Sequence, residues 1–178
     1  PAGTHRANVP AGFSIVSYVG TGAAGTVSHG LGAAPEFMII KNRDVADNWA
    51  VYFGDNTDYV ILNTTAARAD SANWWNDTSP TSSVFTVGTD HSVNADGENY
   101  IAYCWHSVDG FSKMGQYIGN GNANGTFINT GFRPAFLLMK VINTTSDWHI
   151  VDSARDVNNP IQAPIDPNTT AVEGSGSD

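Results

Sequence analysis

Cysteine, charge and long apolar runs are all scarce in this sequence of 178 residues, and each scarcity closes off a class of protein. One cysteine, Cys104, excludes an intrachain disulfide framework. Lys and Arg number only eight and stand singly, against 17 acidic residues, for a net charge of −9. Without a basic patch to neutralise phosphates, nucleic acid and anionic lipid are poor partners. No apolar run approaches the roughly 20 residues of a membrane-spanning helix. Charged residues make up 14% of the chain, well below the usual ~25%. Asn, Thr, Ser and Gly stand in their place, a profile of β-rich extracellular or virion-surface proteins rather than of cytosolic enzymes. The sequence starts at Pro1 with neither an initiator Met nor a signal-like stretch. It is therefore expected to be processed or to be part of something longer.

Catalytic patterns are equally scarce. His5, His29, His91, His106 and His149 are scattered, with no two at metal-ligand spacing, and HExxH, GxSxG and phosphate-loop patterns do not occur. Asp55, Asp58, Asp70 and Asp77 lie in turn-like polar segments, where Asp is favoured for backbone hydrogen bonding alone. "NADGE" at 94–98 lacks the twelve-residue ligand pattern of a calcium loop. Cys104 reads as a small buried side chain, with no local cation to activate it. A non-enzyme without cofactor or metal is expected.

Alternation of period two is what the sequence has in abundance, and no segment holds a 3.6 period for three turns. Strands are expected at 13–19, 36–41, 49–53 and 100–106, with 36–41 covered on both faces. Asp96-Gly97 suits a tight hairpin. The fold class is all-β and sandwich-like.

The alternation is said twice. "GFSIVSYVGTGAAGTV" at 12–27 and "GFSKMGQYIGNGNANGTF" at 110–127 share G-F-S, Y-x-G-x-G and G-T followed by an apolar residue. Pro35, Phe37, Lys41 and Trp49 recur 99 residues later as Pro134, Phe136, Lys140 and Trp148. An internal duplication is expected, its units starting near Gly12 and Gly110, with second-unit strands at about 113–118, 135–142 and 147–151. A period near one hundred is too long for a solenoid. The first unit is 12–109; the second, shorter one is 110–159 and has no counterpart for much of 54–109. Either the duplicated strands form two halves of one sandwich, or the second unit is an incomplete lobe with an open sheet edge, a template for another strand.

Residues 1–11 read as an extended N-terminal arm and 160–178 as a Pro-spaced tail ending in flexible Gly/Ser. Frayed ends are the ordinary expectation. The sharper one is that Thr4, His5, Arg6, Ala7, Asn8 and Val9 add a strand to a neighbour's open edge, as a donor strand. Trp74-Trp75, in a loop-like "SANWWNDTSP", offer a different use: an exposed Trp stacks on a sugar ring while Asn73, Asn76 and Asp77 bind hydroxyls. The competing expectation places both indoles in the core or under a loop. Trp49 and Trp148 recur with the repeat and are expected in the core. Five Asn-x-Ser/Thr triplets, at Asn63, Asn76, Asn124, Asn143 and Asn168, follow from a composition rich in Asn and Thr.

"GFSIVSYVGTGAAGTVSHGLGAAPEFMIIKNR", "WNDTSPTSSVFTVG", "VNADGENYIAYCWHSVDGFSK" and "YIGNGNANGTFINTGFRPAFLLMK" are similar to an uncharacterised domain. It is common in predicted tail-fibre and other virion proteins of aquatic bacteriophages. The resemblance covers most of 11–155 and implies a β-rich, non-enzymatic building block of surface appendages. It carries over no catalytic or ligand residues. The expected function is a structural subunit self-associating into a fibre or oligomer, with a carbohydrate- or receptor-binding module as the alternative.

Overall fold

The computed structural model describes residues 1–158 and 161–174. Of the expected C-terminal tail, residues 160 and 175–178 lie outside the described residues, as does residue 159 of the second unit. The fold is all-β: among the described residues, eleven strands accompany two one-turn α-helices and one 3-10 turn.

A seven-stranded antiparallel sheet forms the middle layer. Its strands are β1 (Gly3–Asn8), β2 (Phe13–Val19), β4 (Phe37–Asn42), β5 (Trp49–Tyr52), β6 (Asp58–Ile61), β7 (Ala69–Asp70) and β9 (Asn99–Trp105), in the order β1-β2-β9-β4-β5-β6-β7. A two-stranded sheet of β3 (Gly25–Ser28) and β8 (Val84–Val87), with α1 (Ala72–Trp75) and α2 (His91–Asn94), covers one face. Alternation decides what is buried there. Val16 and Tyr18 of β2, Met38 and Ile40 of β4, and Tyr100, Ala102 and Cys104 of β9 point inward against Val27, Phe85, Val87 and Val93. The opposite face of β4–β6 carries Phe37, Ile39, Val51 and Val60. It is covered by the hairpin of β10 (Phe136–Lys140) and β11 (Trp148–Asp152), through Trp148 and Leu138. β4 is thus apolar on both faces because both are covered.

The second-unit hairpin reproduces the β4–β5 hairpin contact by contact. Lys41 pairs with Trp49 and Met38 with Tyr52; 99 residues later Lys140 pairs with Trp148 and Leu137 with Val151. Lys41 Nζ donates to the Asp47 carbonyl (3.0 Å), and Lys140 Nζ to the Ser146 carbonyl (2.7 Å). The Trp49 amide donates to Asn63 Oδ1, and Asn63 Nδ2 donates to Asn48 Oδ1; the Trp148 amide, Asn168 and Asp147 do the same. Asn63 and Asn168 each open an N-T-T-A tetrapeptide, a repeated signal that the sequence reading missed because it is offset by 105 rather than 99 residues. With that offset Val51↔Val60 matches Ile150↔Ile165, and the β6–β7 pair Tyr59↔Ala69 matches the bond from the Gly174 amide to the Pro164 carbonyl (2.9 Å). Of the expected tail, Ile165 is thus tied to Ile150 of β11, and Gly174 to Pro164.

Three further expectations change. The N-terminal arm is not free: Gly3–Asn8 pairs along its length with β2, from Gly3↔Tyr18 to Asn8↔Phe13. The turn that folds it back is the 3-10 turn Val9–Ala11, where Asn8 Oδ1 accepts from the Ala11 amide (3.3 Å) and Gly12 takes a left-handed conformation at φ 63°. Its polar sequence misled because an edge strand needs backbone partners only. Residues 113–118 form no strand. Asp96-Gly97 joins a helical turn to β9 instead of two strands.

Candidate assembly surface

The expected glycan platform is overturned. Trp74 and Trp75 sit on α1, not on an extended segment, and both are buried. Ser71 caps that turn, its hydroxyl accepting from the Asn73 amide (3.3 Å), and left-handed Asn76 (φ 52°) closes it. Trp74 lies flat on Tyr59 with ring centroids 3.7 Å apart, and Trp75 Nε1 donates to the Asp58 carbonyl (3.1 Å). Neither indole has a free face for a sugar. Asn73 and Asp77 remain at the surface, but without the ring they were to flank. Trp148 is core, as expected, and Trp49 is half-buried.

The chemistry-bearing side chains are tied to the fold. Burial pushes the Cys104 thiol up to about 12, so no thiolate forms near neutrality. His149 Nδ1 meets Asp166 Oδ1 at 2.7 Å beside the hairpin. Asp55 accepts from the Thr57 amide and hydroxyl, bonds that hold its carboxyl below the usual range. Asp58 pairs with Arg68 at 3.1 Å. Among the described residues, no group of three or more His, Cys, Asp and Glu side chains could hold a metal ion. Nor is any helix there long and apolar enough to cross a membrane.

Several apolar residues of the second unit are exposed where their first-unit counterparts are core. Aligned pairs make the contrast plain. Tyr18 is 1% exposed and Tyr117 55%; Val27 is 1% exposed and Phe127 88%; Met38 is 1% exposed and Leu137 38%. Phe111, Ile118, Ile128, Phe136 and Val141 are exposed in the same region. In the first unit these positions are covered by β8, α2 and β9, and β4 has a strand on either side, β9 and β5. Among the described residues β10 pairs with β11 only.

The architecture defines a class: an all-β protein of antiparallel sheets. Within that class the chain belongs to the family described as a domain of unknown function (DUF7483), whose model matches residues 2–178. No curated protein and no solved structure matches it.

Proposed function

We propose that the protein is a non-catalytic structural subunit of an extracellular or virion appendage, and that copies of it associate through the apolar side chains exposed along residues 111–141. The observation that carries this reading is the exposure of Phe127, Phe136 and Leu137. Monomeric proteins rarely leave contiguous apolar patches beyond a few hundred Å² uncovered, and larger ones mark contact sites. The low charge and the resemblance to virion building blocks point the same way. Donation of Gly3–Asn8 to a neighbour is the weaker route, because the backbone groups on its β2 side are already paired within the chain.

Sedimentation across a concentration series tests the reading. The wild-type chain is expected to form oligomers or filaments as concentration rises. Phe127→Ser with Leu137→Lys should stay monomeric with unchanged unfolding, since neither side chain is buried. A wild-type chain that remains monomeric at the highest concentration would sink the proposal.

A further inference from the structure

We infer that Gly3–Asn8 is an acid-released strap: in mild acid it leaves the edge of β2 while the rest of the sheet stays folded. The device lies in the first unit and does not depend on how copies associate. Every residue of β1 is exposed, so no buried side chain anchors it. Its hold on the body rests on backbone pairing with β2 and on close contacts at glycines. A Cβ at Gly30 would overlap the His5 ring, and one at Gly12, where the arm turns back, would meet the His106 carbonyl oxygen at 2.6 Å. The His106 amide donates to the Gly12 carbonyl (2.9 Å). Both contacts use space that only glycine leaves.

The seat of His5 is built by a second histidine. His29, just after β3, is fully buried, and its ring closes a tight turn. Its Nδ1 accepts from the Leu31 amide (3.2 Å), and Gly30, at φ 71°, lies between the two residues. Its Nε2 donates to the Thr81 carbonyl (3.1 Å), which fixes the tautomer that leaves Nδ1 as an acceptor. A proton on Nδ1 replaces that acceptor with a donor facing the Leu31 N–H. The turn around Gly30 then opens, and the seat under His5 goes with it.

Charge acts in the same direction. The titratable groups that act on His29 are His5 on β1 and His106 at the end of β9. Leu31 and Thr81, the residues bonded to its ring, carry no charge. Once protonated, the three rings repel one another where the arm meets the body. Burial holds the His29 pKa below its ordinary value; the bond to Thr81 opposes that fall, and His5 and His106 add to it. With the turn open the ring regains its ordinary affinity for a proton, so the released state binds protons more readily than the strapped one. The strap is therefore held above about pH 6.5 and loses its hold as the pH falls.

Hydrogen exchange of the full chain, read as protection factors from about pH 7.5 to about pH 5, is the test. In acid the amides of 3–8 should exchange as in an unfolded peptide, while those of 37–42 stay protected. His29→Gln should leave the protection of 3–8 independent of pH. His5→Thr changes an exposed side chain and leaves the core intact; its arm should be less protected at neutral pH and respond less to acid. Three results would each overturn the inference: an arm still protected in acid, an arm and β4 that lose all protection together, or a His5→Thr arm that follows the wild type.

Discussion

The β4–β5 and β10–β11 hairpins are alike, yet among the described residues β4 has a further strand beside it and β10 does not. β4–β5 and β10–β11 share register, the lysine that bridges to a loop carbonyl, and the asparagine that caps the tryptophan amide. Those features are local, made by residues within about twenty positions of one another, and they form wherever their residues recur. Strand β2 is different. Its seven residues pair with β1 on one side and β9 on the other, and its counterpart at 113–118, with neither neighbour among the described residues, is no strand. Hairpins are written locally, but strands that need distant partners are not.

The largest effect that would sharpen this contrast is expected at Gly20, in the loop after β2. Gly20→Ala forces the new methyl group into the Ala95 carbonyl, an overpacking that costs about 3 kcal/mol. Denaturant unfolding should show that loss. An unaltered midpoint would mean that this loop is not held by the segment leading into β9.

How much of this was legible beforehand follows the same line. β2 was readable residue for residue, and β4, β5 and β9 to within one residue, because their alternation is strict and their ends carry Gly, Pro or Asn. The burial of Cys104 was readable too. Trp74-Trp75 were not placed, because "SANWW" is too short to show a helical period. The N-cap Ser71 was its one signal. The pairing of Gly3–Asn8 was hidden because every residue of that strand is exposed.

A smaller effect is expected at the aligned tyrosines. The Tyr18 hydroxyl donates to the Val93 carbonyl at 2.6 Å inside the core. Burial pushes its pKa well above the ordinary value, with Tyr100 and Cys104 adding to the rise. Tyr18→Phe leaves that carbonyl unpaired and should cost about 2 kcal/mol. Tyr117→Phe should cost nothing measurable in the free chain, where the ring is 55% exposed. Equal losses from the two substitutions would show that Tyr117 is buried in solution, and so would break the comparison outright.

The smallest effect distinguishes the units by pH. His29 is fully buried, its Nδ1 accepting from the Leu31 amide (3.2 Å) and its Nε2 placed 3.1 Å from the Thr81 carbonyl to donate. That arrangement requires the neutral ring. Burial lowers its pKa below the ordinary 6.5, although the bond to the Thr81 carbonyl opposes the fall. The unfolded chain then binds the proton more readily than the folded one, so stability rises with pH between the folded and unfolded pKa values. It is retained above about pH 6.5 and lost as acid protonates the unfolded ring. Between pH 7 and pH 6 the loss should be under about 1 kcal/mol. The aligned residue in the second unit is Asn129, which does not titrate. Melting curves of wild type and His29→Gln across that range should differ in slope, the variant being flatter. Parallel slopes would place the acid sensitivity elsewhere and remove this distinction between the units.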